Sequence, residues 1–130
     1  MTRMTKLHLP LLVVTALASS SVFADAKQDE AARQLATKSG CFICHSIELD
    51  AKGPDGLKPV GPPWKAVAAR YKGDKNAQKN LTAAVMGGTS MYNRHWKEES
   101  SGVAMPPNGV AISEADAKKL VAWILALPTK

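Results

Sequence analysis

Apolar positions along the chain fall into four stretches at helical spacing, with no stretch of strict strand-like alternation. The last stretch is the clearest. Ala117, Leu120, Val121, Ile124 and Leu125 recur at i, i+3, i+4, i+7 and i+8. Ser113 and Asp116 stand before it in a pattern resembling a capping box, and Pro128 follows its end. The first stretch predicts a helix over Asp29 to Gly40. It has acids in the first turn, Lys38 in the last and Gly40 at the stop. Its apolar stripe is Ala31, Ala32, Leu35 and Ala36, narrow enough for another helix to approach closely. A second helix opens at Pro63, carries Trp64, Val67, Ala68 and Tyr71, and ends at Gly73. A third runs from Asn76 to Met86, with Leu81, Ala84 and Val85 inward, and Gly87-Gly88 breaks it.

The segments between are irregular. Residues 46–63 read as a connector, in which Gly53-Pro54-Asp55-Gly56 is turn chemistry. Lys58 to Pro63 is extended, because a residue before proline avoids the helical region. Residues 89–112 show no clean period. The pattern therefore predicts an all-α fold of about four helices.

The N-terminus does not belong to that pattern. Arg3 and Lys6 precede the apolar run Leu9 to Leu17, and Ser19-Ser20-Ser21 leads into Val22-Phe23-Ala24-Asp25-Ala26. This succession predicts a secretory signal peptide over residues 1–24, with cleavage after Ala24 or Ala26. The apolar run is shorter than the ~20 residues of a membrane-spanning helix. The remainder, 25–130, is long enough for a single domain with one core. Loss of Arg3 and Lys6 lowers the formal charge from +6 to +4. The mature chain is only mildly basic, which gives no reason to expect a nucleic-acid partner.

Candidate chemistry concentrates in Cys41-Phe42-Ile43-Cys44-His45. Cys-x-x-Cys-His is the attachment pattern of c-type haem. Two thiols on a tight turn can add to the two haem vinyl groups, and the His that follows can bind the iron from one face. A zinc site would need about four ligands, and the chain has only two cysteines. A thioredoxin-like site belongs beside a βαβ pattern, which is absent here. The candidate cofactor is thus one haem c, held through Cys41 and Cys44, with His45 as an iron ligand. No cysteine remains for a structural disulfide.

The candidates for the second iron face are Met86, Met91, Met105, His95 and an open position. Met86 lies on a helix, where a lone Met is commonly core filler. His95 is flanked by Arg94 and Lys97, which suits a surface or propionate-side residue. Met105 precedes Pro106-Pro107, and a ligand on a stiffened loop needs little ordering to bind. Met105 is favoured, with His95 its main rival.

This constellation resembles the small bacterial class I cytochromes c, of the c-551/c-552 type. The resemblance rests on Gly40-Cys41-x-x-Cys44-His45, Gly61-Pro62 before a helix, Trp96, Met105-Pro106-Pro107-Asn108, and a C-terminal helix with Leu120-Val121-Ala122-Trp123-Ile124-Leu125. It implies a class I cytochrome c fold around one covalently attached haem. It further implies that the Pro62 carbonyl accepts the Nδ1 proton of His45, that Trp96 hydrogen-bonds a haem propionate, and that Asn108 orients the Met105 sulfur. The first and last helices would cross near the haem. Tyr92 to Glu99 departs from the short family loop, and the 46–63 connector is longer than in the smallest members.

The implied activity is one-electron transfer rather than catalysis, since two protein ligands leave no iron position for substrate. The expected protein is a periplasmic monomer without membrane insertion after cleavage. Its expected partners are periplasmic or membrane-bound redox proteins, met transiently. Lys38, Lys52, Lys58, Lys65, Lys72 and Lys75 would steer acidic partners. A dedicated haem subunit of a periplasmic oxidoreductase is the alternative, and a haem sensor or enzyme with an open iron position is a third reading.

Overall fold

A computed structural model describes residues 20–129, with side chains from Asp25 onward. The predicted signal peptide, residues 1–24, lies outside the described residues apart from the backbone of its last five. The order of elements is α1 (Ser20–Lys38), a 3-10 turn (Cys41–Ile43), a second 3-10 turn (Pro54–Gly56), α2 (Trp64–Arg70), α3 (Ala77–Gly87) and α4 (Glu114–Leu125). Among the described residues there is no strand, as the periodicity predicts.

Helix α4 is the hub, and α1, α2 and α3 all pack against it. Its sequence explains why. Ala117, Leu120, Val121, Trp123 and Ile124 are all buried, a wider face than the heptad-like pattern predicts. Fully burying a Leu or Ile contributes about 1.5–3 kcal/mol, so this face outweighs any single cap. Ala36 of α1 and Ala117 of α4 are wholly inaccessible, consistent with the close approach that small residues allow.

On α4, Trp123 is the buried residue the periodicity misses. Its indole carries one polar atom, and a buried N–H needs an acceptor. Asp29 supplies it: Trp123 Nε1 donates to Asp29 Oδ1 at 3.1 Å, joining α4 to α1. Arg33 pairs with the other oxygen of Asp29 at 2.6 Å and lies over the Trp123 ring at 5.9 Å. Asp29 thus acts as an inter-helix acceptor. One expectation for α1, the width of its apolar stripe, is corrected. Ala31 is exposed, and the buried stripe reduces to Ala32 and Ala36 with Leu35 half-buried.

Helices α2 and α3 form near their predicted positions. Trp64, Val67 and Ala68 of α2 are buried. On α3 the buried pair is Ala77 and Thr82, while Leu81, Ala84 and Val85 are half-buried. Thr82 tolerates burial because its hydroxyl donates to the Gln78 carbonyl at 2.7 Å.

The start of α4 is capped on one side only. Ser113 Oγ accepts the Asp116 N–H at 3.1 Å and donates its own proton to Asp116 Oδ2 at 2.9 Å. The carboxylate is drawn to the hydroxyl rather than to the Ser113 backbone N–H, so the box is half-made. Ser113→Ala removes the cap and should destabilise the holoprotein by about 1 kcal/mol. Denaturant unfolding with an unchanged m-value checks this; no loss of stability would mean the cap contributes nothing.

Candidate functional site

Gly40 ends the run from α1 with φ 74, a left-handed conformation that favours glycine. The chain then tightens into the Cys41–Ile43 turn, where Cys44 N–H and His45 N–H both donate to the Cys41 carbonyl, at 3.2 and 3.0 Å. No disulfide joins Cys41 and Cys44, and both are half-buried. Burial pushes the Cys41 thiol up, opposed by a backbone hydrogen bond and reinforced by Cys44.

The 59–65 segment forms a strut behind this turn. Gly61 N–H donates to the Cys44 carbonyl at 2.7 Å, Trp64 N–H to Ser46 at 2.8 Å and Lys65 N–H to Ile47 at 3.1 Å. The prolines have no N–H to offer, but their carbonyls accept. The Pro62 carbonyl lies 2.9 Å from His45 Nδ1. A carbonyl can only accept, so Nδ1 carries the proton and Nε2 keeps its lone pair for a metal. Burial pushes the imidazole below its ordinary pKa, with the Pro62 hydrogen bond opposing the shift. The ring is therefore held neutral, which ligation requires.

Gly61 is part of this arrangement for a steric reason. A Cβ there would lie 2.5 Å from His45 Cε1, so no larger residue lets the ring sit where it does. On another side, His45 stacks on Trp64 with centroids 5.7 Å apart and planes at 25°. Trp64 in turn packs against Phe42 at 5.0 Å and edge-on to Trp123 at 5.8 Å. The imidazole thus rests on the same indole that joins the turn to α4.

The opposite edge of the strut carries the next loop. Ser101 N–H donates to the Pro59 carbonyl and Gly102 N–H to the Val60 carbonyl, each at 2.9 Å. A Cβ at Gly102 would collide with the Val60 carbonyl oxygen. Met105 is three residues further on, within about 10 Å of Gly102 along an extended chain. The Met105 loop is fixed at its far end to α3. Asn108 N–H donates to the Val85 carbonyl at 3.0 Å, and Asn108 Nδ2 donates to Val85 at 3.2 Å and Pro106 at 2.7 Å. The resemblance implied that Asn108 orients the Met105 sulfur. Its amide also reaches two main-chain carbonyls, and through them Asn108 shapes the loop.

The structure brings Cys41, Cys44, His45 and Pro62 together around one turn, and Met105 and Asn108 together on one loop. Trp96 stands elsewhere. It is half-buried, with the Arg70 guanidinium 4.8 Å from its ring, Tyr71 at 6.4 Å and His95 at 5.9 Å. His95 is exposed, its Nε2 lying 3.4 Å from the Tyr71 hydroxyl. Met86 is half-buried against the core and Met91 is exposed. The residues that sequence reasoning missed are Trp64 as the His45 platform, Gly102, and the Gly88-Thr89 contact to Met105. A glycine at each point of backbone contact was the one available signal.

The Cytochrome c family profile matches residues 30–128. The chain belongs to the cytochrome c family. It is 45% identical over 93 residues to the cytochrome c-551 of Allochromatium vinosum, covering 72% of this chain and 82% of that protein. It is 38% identical over 98 residues to the cytochrome c-552 of Nitrosomonas europaea, covering 75% and 80%. The crystal structure of the wild-type Nitrosomonas europaea cytochrome c552 superposes with a TM-score of 0.56 at 36% identity, over 74% of this chain and 99% of that one. The fold is that of a class I cytochrome c, and the protein is a monohaem c-type cytochrome in a family of electron carriers. Its haem c is attached through the Cys-x-x-Cys-His motif. The residues present fit that group: two thiols on one turn, and beside them an imidazole whose free nitrogen is Nε2. Among the described residues no helix is long and apolar enough to cross a membrane.

This geometry makes two outcomes measurable. Gly61→Ala forces the His45 ring to move, a strain of about 1–3 kcal/mol; the holoprotein should show displaced His45 ring resonances and lower stability, and unchanged resonances would refute the clash. Because the folded imidazole pKa is depressed, the stability from neutral His45 is complete above the ordinary value of about 6.5. It is lost as pH falls below that toward the folded value. With iron bound, protons compete with the metal for Nε2, so absorbance titration should show His ligation retained at neutral pH and lost only on the acid side; loss on raising pH through neutrality would contradict this.

Proposed function

We propose that the mature protein is a periplasmic carrier of single electrons between respiratory redox proteins, with His45 and Met105 on the two faces of the iron. The observation that carries this reading is the Pro62–His45 hydrogen bond at 2.9 Å, which fixes one tautomer and leaves Nε2 for the metal. The bound haem supplies the one-electron couple. His45 gives a nitrogen ligand whose orientation is set by Pro62, Gly61 and Trp64. Met105 gives a soft thioether, which raises the potential relative to harder ligands. With both faces occupied by protein, no substrate reaches the iron, and the role is transfer rather than catalysis. Trp96 offers an indole to a haem propionate in this reading.

Partner encounters are small and transient. Lys38, Lys52, Lys58, Lys72 and Lys75 are exposed and serve to steer acidic surfaces. Lys65 does not join them. It is half-buried and pairs with Glu48 at 2.6 Å, tying α2 to the connector.

Absorbance spectroscopy of two variants tests the ligand set. The weak thioether–Fe(III) charge-transfer band should vanish in Met105→Ala and persist in His95→Ala; the reverse pattern would reject Met105. An intact mass and a reduced-minus-oxidised spectrum of the periplasmic product test export, haem attachment and redox activity together. A colourless product with unmodified thiols would end the proposal.

A further inference from the structure

The geometry points to Thr89 as a positioning residue for the iron ligand Met105, holding the Met105 peptide from both sides before the thioether binds. This rests on the reading of Met105 as a ligand. The Met105 N–H donates to Thr89 Oγ1 at 2.8 Å, and the Thr89 N–H donates to the Met105 carbonyl at 2.9 Å. The two bonds close a ring between the residues. Met105 cannot pivot about its own backbone without breaking one of them.

The surrounding sequence makes Thr89 the changeable part of this clamp. Pro106 and Pro107 contribute no N–H, so the donors of the 105–108 stretch are those of Met105 and Asn108. Both point at the end of α3, and Asn108 N–H is received there by the Val85 main-chain carbonyl. Only Met105 N–H is received by a side chain. Gly88 brings the two segments together: it has φ 78, and a Cβ there would lie 2.8 Å from the Met105 oxygen and 2.9 Å from Pro107 N. Capping of α3 does not explain the threonine, because Gly88 N–H already donates to the Ala84 carbonyl at 2.8 Å. The oxygen of Thr89 faces the ligand loop, not the helix.

A ligand with a pre-ordered backbone resists replacement, because its rival must displace a group that gains little freedom on leaving. Thr89→Val keeps the branched shape and the main-chain bond but deletes the acceptor. Thr89→Ser keeps the acceptor. The readout is the affinity of the ferric holoprotein for added imidazole, which competes with the thioether. Thr89→Val should bind imidazole more tightly by roughly two- to tenfold, the size expected for one exposed hydrogen bond. Its charge-transfer band should weaken, and Thr89→Ser should match the wild type in both. A purely structural role would lower the unfolding midpoint without changing imidazole affinity, and that result would overturn the proposal. So would a Ser variant that behaves like Val. Hydrogen exchange in the unmodified holoprotein is a second measurement that needs no variant: the Met105 amide should be protected, and free exchange would overturn the clamp. Met105→Ala separates the two claims. If it leaves imidazole affinity and the band unchanged, Met105 is not the ligand and the underlying reading fails; if it raises affinity while Thr89→Val does not, only the clamp fails.

Discussion

The contact on which the rest depends is between one carbonyl and one imidazole. Pro62 accepts from His45 Nδ1 at 2.9 Å, and the opposite nitrogen is thereby left as a base. Imidazole alone has two choices of tautomer. Here the choice is made by a residue 17 positions away in sequence. The carbonyl can stand there because Pro62 lies in a stiff extended run and Gly61 before it has no side chain to push the ring aside.

That run has two edges, and both are used. One receives the ring and pairs with residues 44–47; the other pairs with Ser101 and Gly102, which lead to Met105. A proline-rich segment is suited to such a place. It cannot donate at every residue, so it does not join a regular ladder, yet its carbonyls remain available to whatever packs against it. The two candidate ligands are thus referred to one rigid piece of backbone rather than to two independent loops. Helix α4 stabilises this from behind through Trp123, Trp64 and the Trp123–Asp29 bond.

The sequence made a large part of this legible. Helical periodicity placed four helices because burial on one face repeats with the turn of the helix, and that repeat is written in neighbouring residues. The Cys-His motif was legible because its chemistry is set by spacing along a single turn. Other features left weaker traces. Asp29 looked like a first-turn acid, although its carboxylate is the acceptor for an indole 94 positions away. Asn108 was expected beside a sulfur, and nothing local showed that its amide would also reach the carbonyls of Val85 and Pro106. In both cases the residue type was informative and the partner was not, since a hydrogen-bonding group gives no sign of which distant atom it will meet.

What the amino-acid order settled by itself was the cofactor chemistry and the all-helical class, because each depends on residues a few positions apart. What only the tertiary structure decided was orientation: which imidazole nitrogen is left open, which glycines must lack a side chain, and what holds the Met105 loop. Those depend on atoms from separate segments meeting at hydrogen-bond distance, and no local pattern encodes where two segments will touch.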